Sequence, residues 1–90
     1  MEEHSNLNAA EVQERIRALI CDRIGVEPDE VQLESSFAYD LDADSLDMVE
    51  LALALEDEFD LIDLSDEDME NVSTVGDLIN LVQAKLGLDE

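Results

Sequence analysis

The sequence predicts an all-α domain with three principal helices and one minor helix, and three observations point that way. Apolar residues recur at helical spacings in three separate stretches. Strand-like alternation of apolar and polar residues is absent. The core material is aliphatic: with two Phe, one Tyr and no Trp, it must be built from Leu, Ile, Val and Met, which suits a small helical bundle. Ninety residues are enough for one domain with a single modest core and too few for a substrate cleft with its own catalytic machinery. Residues 1–90 are read as that one domain, with 1–7 a frayed tail.

The first helix is expected from Ala9 to Ile24, where Val12, Ile16, Leu19 and Ile20 fall on one face. Asn8 followed three residues on by Glu11 has the pattern of a capping box, and Gly25 is placed to end the helix in a left-handed conformation. From Val26 to Asp44 the periodicity fades. Pro28, Ser35, Ser36 and scattered acids mark a long connection, anchored by Val31, Leu33, Phe37 and Leu41, with a short turn near Phe37. Loops this long in small domains are usually functional or disordered, and the apolar anchors favour an ordered one.

Asp44 is a good N-cap residue and Asp47 completes its pair, so the second helix should open there and run to about Phe59. At 100° per residue, Met48, Leu51, Ala52, Leu55 and Phe59 make a core stripe. Leu46, Val49 and Leu53 form a second apolar ridge more than about 90° away, bordered by Glu50, Glu56 and Asp57. That ridge either packs under the long loop or stands exposed as a docking strip rimmed by charge. Ser65 with Asp68 signals a short third helix ending near Asn71, giving Met69 and Val72 to the core. Thr74 with Asp77 starts the last helix, whose stripe is Val75, Leu78, Ile79, Val82 and Leu86, and Gly87 ends it.

Charge narrows the function classes. The chain has 26 acidic and four basic residues, a formal net charge of −22. Between Arg23 and Lys85 lie nineteen carboxylates and no cation. Such a field argues against nucleic acid, whose phosphates need cationic partners, and against anionic membranes. It favours proteins with basic patches, which it would steer into contact. A merely solvated acidic surface, or a disordered acidic chain, is the plainer alternative, and the regular apolar spacing speaks against disorder. The start Met1-Glu2-Glu3-His4-Ser5 has neither the basic nor the apolar run of a secretory signal, and no stretch reaches membrane-spanning length. One cysteine, Cys21, allows no internal disulfide, which fits a reducing cytoplasm.

An enzyme needs a nucleophile, a general acid or base and a means of stabilising charge. The one histidine, His4, lies in the expected tail, so Ser-His-Asp and Cys-His arrangements are excluded. Cys21 lies off the apolar stripe beside Asp22, a neighbour that would raise its pKa and leave it an inert thiol. Asp40-Leu41-Asp42-Ala43-Asp44 resembles the opening of a calcium loop, but Ser45 stands at the sixth position, where glycine is needed, and Leu51 at the twelfth, where a bidentate Glu is needed. No metal site is expected.

The informative run is Asp42-Ala43-Asp44-Ser45-Leu46-Asp47, leading through Met48-Val49-Glu50-Leu51 to Leu55-Glu56-Asp57-Glu58-Phe59-Asp60. With it go Glu14-Arg15-Ile16, Ile24-Gly25-Val26, Ser36-Phe37 and Ser73-Thr74-Val75. In this order, from about Val12 to Leu86, the chain resembles the acyl carrier protein family, in particular the discrete carriers of fatty acid synthesis and of type II polyketide systems. Asp-Ser-Leu alone is a weak motif. The ordered series around it is a strong one.

The resemblance implies an antiparallel four-helix bundle of acyl-carrier type with a long first loop. It makes Ser45 the covalent attachment point of 4'-phosphopantetheine, donated by coenzyme A through a phosphopantetheinyl transferase. Acyl-transfer and synthase enzymes with basic patches would then be the partners. By the same correspondence Asp44, Leu46, Val49, Glu50, Leu53, Glu56 and Asp57 match the family's recognition helix. The function implied is that of a monomeric carrier rather than an enzyme, holding fatty-acyl intermediates as thioesters among Leu51, Leu55, Phe59, Ile62, Leu64, Met69 and Ile79. A polyketide or other specialised pathway, or an acidic interaction protein that never takes the arm, are the alternatives. Two departures from the family pattern stand out: Asp42 where a small residue, usually glycine, is found, and a link at Leu61-Ile62-Asp63-Leu64 that is one residue longer and more apolar than usual.

Overall fold

The structure is a computed structural model in which residues 8–61, 64 and 66–87 are described. The expected tail, Ile62, Asp63 and Ser65 lie outside them. Four α-helices follow one another among the described residues: α1 (Ala9–Ile24), α2 (Ser45–Phe59), α3 (Asp66–Glu70) and α4 (Val75–Leu86). A single 3-10 turn at Pro28–Glu30 interrupts the long first connection, and no strand occurs among the described residues. The fold is the all-α carrier-type bundle that the sequence predicts.

α1, α2 and α4 each start where a side chain can satisfy the amides that a first turn leaves without carbonyl partners. The Asn8 side chain accepts from Glu11 N at 2.9 Å, which is the forward half of the expected capping box. At α2 both halves form: Asp44 Oδ1 accepts from Asp47 N at 2.9 Å and Asp47 Oδ2 from Asp44 N at 3.1 Å. At α4, Thr74 Oγ1 accepts from Asp77 N at 3.2 Å while Asp77 Oδ2 accepts from Thr74 N at 3.1 Å. α1 ends on Gly25 at φ 84°, a conformation that would strain any residue with a Cβ. Asp60 ends α2 at φ 57°, using the tolerance of Asp for left-handed backbone.

The faces these helices bury meet in one aliphatic core. Val12, Ile16 and Ile20 of α1, Leu51 and Leu55 of α2, and Val75, Leu78 and Val82 of α4 are fully enclosed. α1 packs against both α2 and α4, and α3 lies on α2. Ala54 is buried as well, although the sequence pattern leaves it outside the core stripe, while Met48 and Leu86 are only half-buried.

The long connection is ordered by pegs and backbone pairing. Val31, Phe37 and Leu41 are buried, as expected, but Leu33 is 57 % exposed. Its anchor is the main chain, because Leu33 O accepts from Gly76 N at 2.9 Å. A Cβ on Gly76 would stand 3.1 Å from that oxygen, a tight contact that the Leu33 backbone could relieve only by giving way by a few tenths of an ångström. Beside it Ser36 and Thr74 form an antiparallel bridge, with Phe37 N donating to Ser73 O and Val75 N to Ser35 O, both at 3.0 Å. The predicted turn near Phe37 occupies residues 37–40.

The α4 cap supplies a pH-dependent test. The Ser73 and Thr74 amides donate to Asp77 and hold its carboxyl below the usual range. A depressed folded pKa contributes stability that is complete above the ordinary aspartate value of about 3.9 and is lost as pH falls through the lowered one. Asp77→Asn should therefore lower the urea midpoint at about pH 6, with a penalty that shrinks as the pH is taken down below the ordinary aspartate range. Thr74→Ala should cost about 1 kcal/mol at either pH.

Candidate functional site

Ser45 is the first residue of α2 and is exposed. Its amide and that of Leu46 sit where a helix has no carbonyl of its own to offer, while the third amide, Asp47 N, is taken by Asp44. Unpaired amides at the positive end of a helix dipole favour an anion, so a phosphodiester on the Ser45 hydroxyl fits the donors present. Asp42, two residues ahead of the cap, adopts φ 57°. Aspartate thus takes the left-handed turn for which the family pattern has a small residue, and the chain enters α2 without glycine there.

The ridge that the sequence leaves between two readings is exposed. Leu46, Val49 and Leu53 are 63 %, 47 % and 60 % accessible, and the long connection does not cover them. Asp44, Glu50 and Asp57 are exposed beside them. Glu56 stands apart from these acids: it is half-buried, and its Oε2 accepts from Leu64 N at 3.3 Å. That bond ties the link after α2 back to the helix. The expected docking residues therefore share one helix, with Glu56 turned toward its inner edge.

Behind the ridge, between α2 and the α3 side of the molecule, lies a cavity of about 370 Å³. Met48, Val49, Ala52 and Leu53 form one wall and Leu64 and Met69 the other, with Ser45 at its margin. Leu64 and Met69 are the residues of the expected acyl-sequestering set that line it. Leu51, Leu55, Phe59 and Ile79 belong instead to the closed bundle core, and Ile62 lies outside the described residues. The reason is rotational. The stripe opposite α1 and α4 is filled by their side chains, and this cavity lies on the flank of α2 beside the short α3.

Most of the few cations are used inside the fold. Arg15 pairs with Glu58 across α1 and α2, Arg17 donates to Pro28 O at 3.0 Å, and Lys85 stands 3.2 Å from Asp68. Arg23, 3.7 Å from Asp22, borders a shallow groove whose other walls include Glu50, Leu53 and Asp57. Cys21 is half-buried. Burial pushes its thiol pKa up, Arg17 opposes the rise, and Glu27 and Glu30 add to it. Asp22, the neighbour expected to raise it, is turned to Arg23 instead. No group of three or more potential metal ligands occurs among the described residues, and no helix among them is long and apolar enough to cross a membrane.

The family model for the phosphopantetheine attachment site matches residues 14–82. The matched span runs from the second turn of α1 to the last turns of α4 and includes Ser45 and every residue of the cavity.

Sequence reasoning missed Met48 and Ala52 as cavity residues by assigning both to the core. The available signal was Ala52 itself, a small side chain in a leucine-rich helix, which leaves a gap wherever no partner helix closes in. Ala52→Leu should fill that gap at about 0.8 kcal/mol per buried methylene, offset in part by repacking. The melting midpoint should hold or rise, and binding of a neutral naphthylamine dye should be lost. A variant that melts lower and still binds dye would place the free space elsewhere.

Proposed function

The chain belongs to the phosphopantetheine attachment family, and from that membership we propose that it is a discrete acyl carrier protein whose 4'-phosphopantetheine is joined to Ser45. The family attaches this group covalently, and its carrier domains interact with transferases and synthase enzymes in general. When attached, the group supplies a terminal thiol able to hold an acyl chain as a thioester. The observation that carries the reading is the coincidence at one helix end: an exposed Ser45 hydroxyl, free first-turn amides and an apolar cavity opening beside it.

Among the described residues no base is placed on the Ser45 hydroxyl, so in this reading a transferase takes the proton as the Ser45 oxygen attacks the pyrophosphate of coenzyme A. The new serine–phosphorus bond forms as the nucleotide half leaves. Asp44 and Asp47 are committed to the cap; their role is to hold the first turn so that the hydroxyl projects from a fixed corner.

The cavity favours fatty acid biosynthesis over a polyketide pathway. Its polar groups besides Ser45 are the carboxylates of Glu56 and Glu70, which only accept hydrogen bonds when ionised. A saturated chain asks nothing of them. A poly-β-ketone would bring further acceptors to a lining without donors and would lose the hydration of its carbonyls. In this reading the chain works in the cytoplasm as a monomer, and partners carry basic patches that meet Glu50 and Asp57 while Leu46, Val49 and Leu53 fill apolar hollows.

Two measurements test the proposal. Incubation with coenzyme A and a broad-range phosphopantetheinyl transferase should add one phosphopantetheine mass, and Ser45→Ala should abolish the gain. No gain, or a gain that survives in Ser45→Ala, defeats the assignment and leaves an acidic interaction protein. For docking, Glu50→Lys with Asp57→Lys should slow acylation by partner enzymes on the order of 10-fold at low ionic strength and much less near 0.15 M salt, where the Debye length is about 8 Å. Equal rates at both salt concentrations would remove the acidic strip from the docking surface.

A further inference from the structure

Two clefts, not one, meet at Ser45. Besides the cavity toward α3, a second cleft of about 240 Å³ adjoins it at the α2 N-terminus, between the turn at Ser36–Tyr39, the capping Asp44 and the link into α4. Ser45 and Met48 belong to both. The second cleft differs in chemistry. Ala43, Met48 and Val72 give it an apolar floor and are themselves packed on the core, while Ser36 and Ser73 bring hydroxyls and Tyr39 stands at the rim. The Ser36 Oγ accepts from Tyr39 N at 3.2 Å, so its own proton is left to donate. Tyr39, the chain's one tyrosine, is 90 % exposed, and nothing in the fold accounts for an aromatic ring there.

Resting on the reading of Ser45 as the attachment point, we propose that this second cleft seats the pantoyl segment of the arm, leaving the cavity toward α3 for the acyl chain. Size and tether decide the segment. Sites for whole ligands run from about 300 to 1,000 Å³, and this cleft is smaller, so it takes part of the arm. The part next to a phosphate on Ser45 is the pantoyl unit, which carries two geminal methyls, a hydroxyl and an amide carbonyl. The methyls match Ala43, Met48 and Val72. The hydroxyl and carbonyl match the Ser36 and Ser73 hydroxyls, which both donate and accept. Tyr39 at the rim offers a ring to cover the methyls and a phenol that stays in water. The apolar cavity toward α3 has no donor to offer an amide, which is why the arm and its cargo part at Met48.

The test compares isotope-labelled apo and holo chains by NMR, with the mass gain at Ser45 established first. The expected result is a shift of the Tyr39 ring resonances on loading, with nuclear Overhauser contacts from the pantoyl methyls to Ala43 and the Tyr39 ring. Tyr39→Ala should weaken those contacts while the mass gain remains complete. Contacts to Val49 and Leu53 instead, or no contacts beyond Ser45 and its neighbours, overturn the inference and leave the attachment site standing. Absence of the mass gain would strike the attachment reading itself.

Discussion

Three backbone hydrogen bonds, from Phe37 N to Ser73 O, from Val75 N to Ser35 O and from Gly76 N to Leu33 O, hold the long connection against the start of α4. The position of Ser45 depends on them. Fixing a stretch of this length without helix or sheet costs on the order of 1–2 kcal/mol per residue in backbone entropy, and buried pegs alone would leave its polar groups to water. The bridge satisfies backbone groups on both segments while Phe37 and Leu41 are driven into the core. From Leu41 the chain has only Asp42 and Ala43 in which to turn before the cap, which is where the left-handed Asp42 falls. Ala43 N then donates to Phe37 O at 2.7 Å, closing the loop on its own peg and presenting Asp44 to α2.

The same economy governs charge. A net charge of −22 works against any compact state through self-repulsion, and the fold places three of its four cations where they join elements. Arg15 links α1 to α2, Lys85 links α4 to α3, and Arg17 holds the 3-10 turn to α1. Exposed pairs of this kind are individually worth little. Their effect here is to leave the outer face of α2 without a neutralising partner except near Arg23. A partner approaching that face therefore meets carboxylates and apolar side chains, and only at the α1 edge a positive group.

Much of this was legible in the sequence because the signals were local. Helix limits follow from caps: Asn8, Asp44 and Thr74 at one end and Gly25 and Gly87 at the other recover the bounds of α1, α2 and α4. The exposed ridge was visible as a second apolar line that the core stripe could not absorb. What escaped depended on contacts distant in sequence. Leu33 looks like a peg because it is apolar, yet the close approach of Gly76 uses its carbonyl and leaves the side chain in solvent. Met48 and Ala52 lie on the α2 stripe, and Ala52 is buried while Met48 packs on the core, yet both also line the cavity beside α3, which the stripe alone does not reveal. Asp22 looks like the neighbour of the Cys21 thiol, yet successive residues on a helix face apart, and the acids that act on Cys21 come from the next connection. Periodicity tells which way a side chain points, not whether anything stands opposite.

Met48 shows how these features combine at the site. Three residues beyond Ser45 it lies on the same helical face, one turn below the hydroxyl, and it forms a wall of both clefts. A β-branched residue there would have a fixed χ1 and would define each cleft rigidly. Methionine is unbranched and polarizable, and its thioether adapts to irregular space at small cost. Met48 thus borders both clefts with an adaptable side chain while Leu51 and Leu55 stay enclosed in the core beneath. The closed core is therefore separate from the adaptable walls of the cavity beside α3, which include one flexible side chain, the short α3 and the small Ala52.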